Sequence, residues 1–455
     1  MSRANGSLHF KHALLPEGWR RNVRLSWRAG TFAAVVPETA PSPDDERHAI
    51  GIPGVANLHS HAFQRAMSGL AERRGTGTDT FWSWRETMYR FALSMTPDQM
   101  EAVAAQAYAE MLEAGFTRVG EFHYLHHDRD GRPYADVCEM AQRVAAAAGR
   151  TQIGLTLLPV FYAHSGFGGA APLPAQRRFI CDLDQFALLL ERAEASATAI
   201  DGASVGLAPH SLRAVTPEEL AHLAKLRPRA PIHIHAAEQT AEVEACLGWS
   251  GRRPVEYLLD QAAIDARWCL VHATHMTGAE TQRLAASGAV AGLCPITEAN
   301  LGDGIFNGRD YCRLGGRVGI GTDSNVQIGL ADELRLLEYG QRLALRARSV
   351  VAAPGGSTGR ALLEAALRGG AQALGRPGVG FAIGADADIV TLRSEALELA
   401  GRDGDDWLDG WIFSGGSLID CVYARGSRVV ADGQHIDRTR IHAEFRATML
   451  QLLAA

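Results

Sequence analysis

The stretch Val55-Ala56-Asn57-Leu58-His59-Ser60-His61 reads as a short apolar strand that ends on two histidines. Residues two apart on an extended chain point to the same side, so His59 and His61 present their imidazoles together at a strand end. The construction recurs downstream. Pro231-Ile232-His233-Ile234-His235 runs on into Ala236-Ala237-Glu238, Cys269-Leu270-Val271-His272 ends on a histidine, and Gly319-Ile320-Gly321-Thr322-Asp323 ends on an acid.

Working outward, apolar strand candidates fall at 55–58, 117–121, 153–159, 205–208, 232–235, 269–272, 289–293 and 318–321. Most are followed by amphipathic helical patterns, as at 217–226, 241–246, 254–261, 278–287 and 331–348. Eight strands alternating with helices predict an α/β fold, a (β/α)8 barrel over residues 51–377. The two ends read as strand and turn, at 23–27 and 31–36 and again at 380–385, 387–392, 419–424 and 428–431. Isolated strand pairs are marginal. Residues 1–50 and 378–455 are therefore expected to build one small β-sandwich domain together, with the barrel inserted between them.

Composition narrows the function classes. At 47% hydrophobic and 21% charged residues, the chain can bury a large core and is not a disordered one. Lysine plus arginine is 45 and aspartate plus glutamate 51, so the net charge is 45 − 51 = −6, which gives no general reason to expect nucleic acid or an anionic membrane as partner. No run of about 18 apolar residues suggests a membrane span. Residues 1–19 lack the continuous apolar core of a signal peptide. Seven scattered cysteines with no C-x-x-C pair argue against a disulfide framework or a cysteine zinc cluster. A cytoplasmic, soluble enzyme is expected, with a homodimer as the common assembly.

In such barrels reactive groups stand at the C-terminal strand ends. Histidines and a carboxylate at four of those ends offer a nitrogen and oxygen shell for a divalent metal. Glu238, three residues past His235, is placed to accept a proton from a metal-bound water and pass it on.

His59-x-His61, His235, His272 and Thr322-Asp323-Ser324 together resemble the amidohydrolase superfamily, and Gly384-Ala385-Asp386-Ala387-Asp388-Ile389-Val390 looks like a segment of its β-domain. The resemblance implies that His59, His61, His235 and Asp323 hold the metal. It also implies that Asp323 orients the nucleophile, that His272 hydrogen-bonds it, and that Glu238 shuttles protons. Members with two metals use a carboxylated lysine after the fourth strand. Here that strand ends Ala208-Pro209-His210-Ser211, and the chain's two lysines are Lys11 and Lys225, the latter within a following helix. One divalent ion is expected, zinc first, with iron(II) or manganese also compatible.

Around those ligands, Asn57-Leu58-His59-Ser60-His61-Ala62-Phe63-Gln64-Arg65-Ala66-Met67, Phe81-Trp82-Ser83-Trp84-Arg85, Glu121-Phe122-His123-Tyr124-Leu125-His126 and Ala208-Pro209-His210-Ser211-Leu212-Arg213 resemble the formimidoylglutamate deiminase family of histidine breakdown. This implies that Gln64, Arg85, Tyr124 and Arg213 hold the two carboxylates of a small dicarboxylate substrate, with His210 near the formimino unit or the adjacent carboxylate. The expected reaction is hydrolysis of N-formimidoyl-L-glutamate to N-formyl-L-glutamate and ammonia. The alternative is another single-metal deaminase, acting on guanine, a pterin or an adenosine derivative. The aromatic segment 81–91 fits a lid or a core helix. His233 is expected as a packed interior residue, and His123, His126 and His127 mostly as polar loop residues beside Tyr124.

Overall fold

The computed structural model describes residues 5–73, 81–416 and 418–454, with the backbone alone for 81–83. Strands β1 (Gly6–Leu15), β2 (Gly18–Arg28), β3 (Thr31–Val36) and β4 (Glu46–Pro53) form the N-terminal segment. The barrel follows, with β5 (Val55–Ser60), β6 (Phe116–His123), β7 (Gly154–Phe161), β8 (Ser204–Val205), β9 (Ala208–Pro209), β10 (Ile232–Ala236), β11 (Trp268–His272), β12 (Val290–Leu293) and β13 (Arg317–Ile320). The chain then returns to the first sheet with β14 (Ile389–Leu392), β15 (Ile419–Ala424), β16 (Ser427–Ala431) and β17 (Gln434–His435).

The barrel strands run parallel, with β8 and β9 as two pieces of one fourth strand. Parallel bridges Leu207–Ile232 and Ser60–Asp323 join the two arcs and close the ring. Strands β6 and β7 are buried at all eight positions each, as expected of parallel strands covered on both faces. Between the two pieces of the fourth strand, Gly206 lies close against the next strand, where a Cβ would come within 2.7 Å of the Pro231 carbonyl oxygen. The barrel floor is filled by Leu58, Cys269, Val271, Val290 and Leu374. His233 is also interior, 2.7 Å from the Ala373 carbonyl through Nε2.

Helices Pro217–Leu226, Pro254–Gln261 and Gly278–Ser287 have the bounds that the sequence suggested. Their ends are locally encoded. Thr216 with Glu219 and Thr277 with Glu280 form reciprocal capping boxes, and Gly288 ends its helix at φ +79°.

The terminal segments make one continuous sheet in the order β17-β16-β15-β14-β4-β1-β2-β3. It curls back on itself, Phe32 N–H donating to the Ala385 carbonyl at 2.9 Å, over a separate core that includes Phe10, Leu25, Phe32, Phe381 and Ile389. Segment 380–385 is not a strand as expected: Gly380 and Gly384 take φ of +69° and +85°, so it turns while Phe381 and Ala385 pack inward. The C-terminal segment also carries two helices that its strand-and-turn reading did not foresee. Asp405–Phe413 packs on Thr358–Ala373, and Arg438–Ala454 packs on Pro97–Glu113.

Candidate metal centre and substrate pocket

His59 lies in β5, His61 directly after it, His235 in β10, His272 at the end of β11 and Asp323 three residues past β13. The backbone ladder draws these ends together. Thr322 and Asp323 N–H both donate to the His59 carbonyl at 3.0 Å, and His61 N–H donates to the Asp323 carbonyl at 2.9 Å. Asn325 reinforces the junction by donating to the His61 and Asp323 carbonyls, each at 3.1 Å. Left-handed backbone at Asp323, φ +44°, and at His272, φ +68°, turns both side chains at the barrel mouth. Non-glycine residues hold that conformation only where their surroundings enforce it.

Ligand atoms of His59, His61, His235 and Asp323 all lie within 4.8 Å of one another, and all four residues are buried. His61 Nδ1 is 2.9 Å from the Phe122 carbonyl and His235 Nδ1 is 2.9 Å from the His210 carbonyl. A carbonyl oxygen only accepts, so those nitrogens carry the protons and each Nε2 turns a lone pair to the centre. The Nε2 atoms of His59 and His235 are 3.1 Å apart, and Asp323 Oδ1 lies 3.1 Å from His61 Nε2 and 3.4 Å from His59 Nε2. Ligands about 2.0–2.1 Å from a tetrahedral ion stand roughly 3.3 Å apart, so these separations suit a divalent metal. Burial pushes His59 down to about 3 against the pull of Asp323, leaving a neutral imidazole. For Asp323 burial pushes upward, but the facing His59 and His61 outweigh it and hold the carboxyl well below its usual range. Neutral rings and an ionised carboxylate are the forms that bind metal.

Glu238 and His272 stand beside this cluster. Glu238 Oε1 is 3.9 Å from His272 Nε2, and Glu238 Oε2 is 3.7 Å from an Arg213 Nη. Burial raises the Glu238 carboxyl, while the cations His272 and Arg213 pull it back. His272 is lowered by burial but more strongly raised by Glu238, Glu298 and Asp323, reaching about 10. A carboxyl shifted toward neutral pH is suited to accepting and returning a proton.

The lining of the adjoining cavity includes Gln64, Arg85, Tyr124, His210 and Arg213 together with His61, His235, Glu238 and Asp323. Gln64 Nε2 donates to the Tyr124 hydroxyl at 2.8 Å. Among the described residues, Gln64 Oε1 and Arg213 Nε are buried with no hydrogen-bond partner. Burial and the neighbouring Arg213 push His210 well below its ordinary value. Arg85 belongs to helix Phe81–Ser94, which also lines the cavity through Trp84, Met88 and Tyr89. The side chains of 81–83, part of the expected lid, lie outside the described residues.

His126 and His127 lie in the loop after β6 as expected, whereas His123 is the last residue of that strand. All three are buried, and His126 and His127 bond the Val160 and Ile180 carbonyls through Nε2 at 2.8 and 2.7 Å. Sequence reasoning missed Tyr162, Phe179 and Leu301 in the wall, whose apolar bodies carry no pattern of their own. It also missed Glu298, which contacts His272 from beyond the end of β12. The strand-end rule used for the other site residues would have flagged it.

A closed barrel whose mouth gathers three histidines, an aspartate and a buried glutamate is the architecture of a metal-dependent hydrolase. The chain belongs to the amidohydrolase family, whose model matches residues 50–418. Residues 7–49 match a second model, that of the formimidoylglutamate deiminase HutF N-terminal domain. A formimidoylglutamate deiminase from Pseudomonas aeruginosa is 49% identical, the match covering 97% of this chain and 98% of that protein. The crystal structure of an amidohydrolase from Brucella melitensis superposes with a TM-score of 0.97 at 56% identity, covering 98% of this chain and 100% of that one. An adenosine deaminase from Xanthomonas campestris, solved with bound zinc, shares the fold at a TM-score of 0.81 and 21% identity, with 99% and 98% of the two chains covered.

Proposed function

We propose that this chain hydrolyses N-formimidoyl-L-glutamate to N-formyl-L-glutamate and ammonia in histidine degradation. The observation that carries the reading is the composition of one cavity, in which Arg85, Arg213, Tyr124 and Gln64 share walls with His61, His235, Asp323 and Glu238. The full-length similarity to a formimidoylglutamate deiminase supports it. Arginine's planar fork takes a carboxylate through two parallel bonds, and the substrate carries two carboxylates. Guanine, pterin and adenosine rings carry no pair of carboxylates for it to hold.

His59, His61, His235 and Asp323 would hold one divalent ion, zinc in our assignment. When bound, that ion supplies an acidified water and polarises the group under attack. Glu238 takes a proton from the water and delivers it to the departing nitrogen. Asp323 orients the water, and His272 hydrogen-bonds the developing tetrahedral centre. Gln64, Arg85, Tyr124 and Arg213 fix the carboxylates, with His210 beside the reacting end. The water oxygen becomes the formyl oxygen, and both its protons leave on the imino nitrogen as ammonia.

Seven cysteines, all unpaired, support a reducing compartment, and we place the enzyme in the cytoplasm as a homodimer. Among the described residues, no helix is long and apolar enough to cross a membrane. Metal-replete protein is expected to release ammonia from N-formimidoyl-L-glutamate while the formyl group stays on the product. Formamide and free glutamate as products would overturn the assigned bond cleavage.

A further inference from the structure

His272 is fully buried, and its Nε2 lies 3.9 Å from Glu238 Oε1 and 3.8 Å from Asp323 Oδ2. A half-turn of the ring about its outer bond would exchange nitrogen for carbon at that position. The orientation is governed by whatever holds the other nitrogen. Here Nδ1 is 3.2 Å from Oε1 of Glu298, a buried residue of the helix Pro295–Leu301 that follows β12. The same Glu298 oxygen accepts the Cys294 N–H at 3.0 Å, so the acceptor is itself pinned to the end of the strand. The segment also reaches the other partner of His272. Asp303 N–H donates to the Glu298 carbonyl at 2.9 Å, and Gln239, next to Glu238, donates to the Asp303 carboxylate.

We propose that Glu298 is a positioning residue for the reaction, receiving the Nδ1 proton of His272 and keeping Nε2 turned toward Glu238 and Asp323. The inference rests on the reading of His272 as a group that hydrogen-bonds the reacting centre. It brings the seventh strand, from which no site residue was expected, into the site.

The variants separate orientation from fold. In Glu298→Gln, the Cys294 amide still requires an acceptor at that position, so the amide oxygen occupies it and also meets His272. Glu298→Ala removes the acceptor, and Glu298→Asp keeps the charge but withdraws it by one methylene. In metal-replete protein, Glu298→Ala and Glu298→Asp are expected to lower kcat by about 10–100-fold, the usual cost of losing such a supporting partner. KM should stay within about three-fold, since carboxylate binding is untouched. Glu298→Gln should retain most of the turnover. In 15N-histidine spectra, the Nδ1–H signal assigned by its loss in His272→Ala should persist in Glu298→Gln and vanish in Glu298→Ala. On a His272→Ala background, Glu298→Ala should cost nothing further.

Wild-type kcat in Glu298→Ala and Glu298→Asp, with His272→Ala impaired, would overturn the role of Glu298 alone. So would fully additive losses in the double variant, or a loss of turnover that follows loss of metal or of folded signal. A Glu298→Gln protein that keeps metal and fold yet falls as far as Glu298→Ala would overturn it too. Unchanged turnover in His272→Ala would instead remove the reading on which the inference rests.

Discussion

Nε2 of His59 and Nε2 of His235 stand 3.1 Å apart, and Asp323 Oδ1 closes the group at 3.4 Å from His59. Two imidazole nitrogens at that distance beside an ionised carboxylate form a shell that a divalent ion fits. An ion held only by the folded chain stabilises it. Chelation is expected to abolish ammonia release and lower the melting temperature, and metal at about 100 times its Kd should restore roughly 2.7 kcal/mol of stability. Asp323→Asn or His61→Ala should reduce metal affinity by more than about 100-fold, beyond the cost of losing a mere supporting partner. Metal content and thermal unfolding with and without chelator check this.

The two arginines of the pocket should behave differently. Arg213 lies 3.7 Å from Glu238 as well as lining the cavity, whereas Arg85 comes from the neighbouring helix. Arg85→Met is expected to raise KM with a smaller effect on kcat, and Arg213→Met to damage both. Each should lower kcat/KM by about 10–100-fold, the equivalent of one charged hydrogen bond of roughly 1.5–3 kcal/mol. Steady-state kinetics on N-formimidoyl-L-glutamate distinguish the two patterns.

Arg178 is buried, and among the described residues it has no carboxylate within ion-pair distance. Its guanidinium donates to the carbonyls of Ala92 at 2.5 Å, Met95 at 2.8 Å and His127 at 2.7 Å. It thus caps the C-terminal end of helix Phe81–Ser94, a placement that also favours a cation. Arg178→Met would leave those carbonyls buried without a donor, at about 1–3 kcal/mol each. We expect a loss of about 3 kcal/mol or more in urea unfolding. KM should rise in parallel, because the released helix carries Arg85.

Asp386 ties the terminal sheet to the bottom of the barrel. It pairs with Arg118 at 3.2 Å, with Arg376 at 2.8 Å and with Arg425. Burial raises its pKa, but Arg118, Arg376 and Arg425 outweigh that and hold it below the ordinary value. A depressed native pKa means that the unfolded chain takes up the proton first as pH falls. The stabilisation is thus complete above the unfolded value of about 4 and lost as pH drops through the native value. Asp386→Asn should cost about 3–5 kcal/mol at pH 7, the penalty of breaking a buried pair, and progressively less in acid. Urea midpoints of both proteins at neutral and acidic pH test the sign.

Legibility followed the range of the interactions involved. Helices Pro217–Leu226 and Gly278–Ser287 were readable to the residue because capping boxes and a terminal glycine encode their ends locally. Strand β1 was missed, as its sequence mixes polar and apolar residues and only its pairing with β2 and β4 makes it a strand. His123, His126 and His127 look like a polar cluster in the sequence, yet all three are buried, and His126 and His127 are satisfied by the carbonyls of Val160 and Ile180, residues distant along the chain.

The sequence by itself determined the alternation of strands and helices, the strand ends bearing His59, His61, His235, His272 and Asp323, and the absence of a lysine after the fourth strand. Those depend on residue type and short spacing. Tertiary structure alone decided which atoms converge, because ring closure between β5 and β13 brings His59 against Asp323, residues far apart in the chain. It also decided that His272 leans on Glu298, since the helix Pro295–Leu301 beyond β12 brings that carboxylate to the end of β11. Side-chain chemistry is written locally, but its direction is set by backbone pairing across the closed barrel.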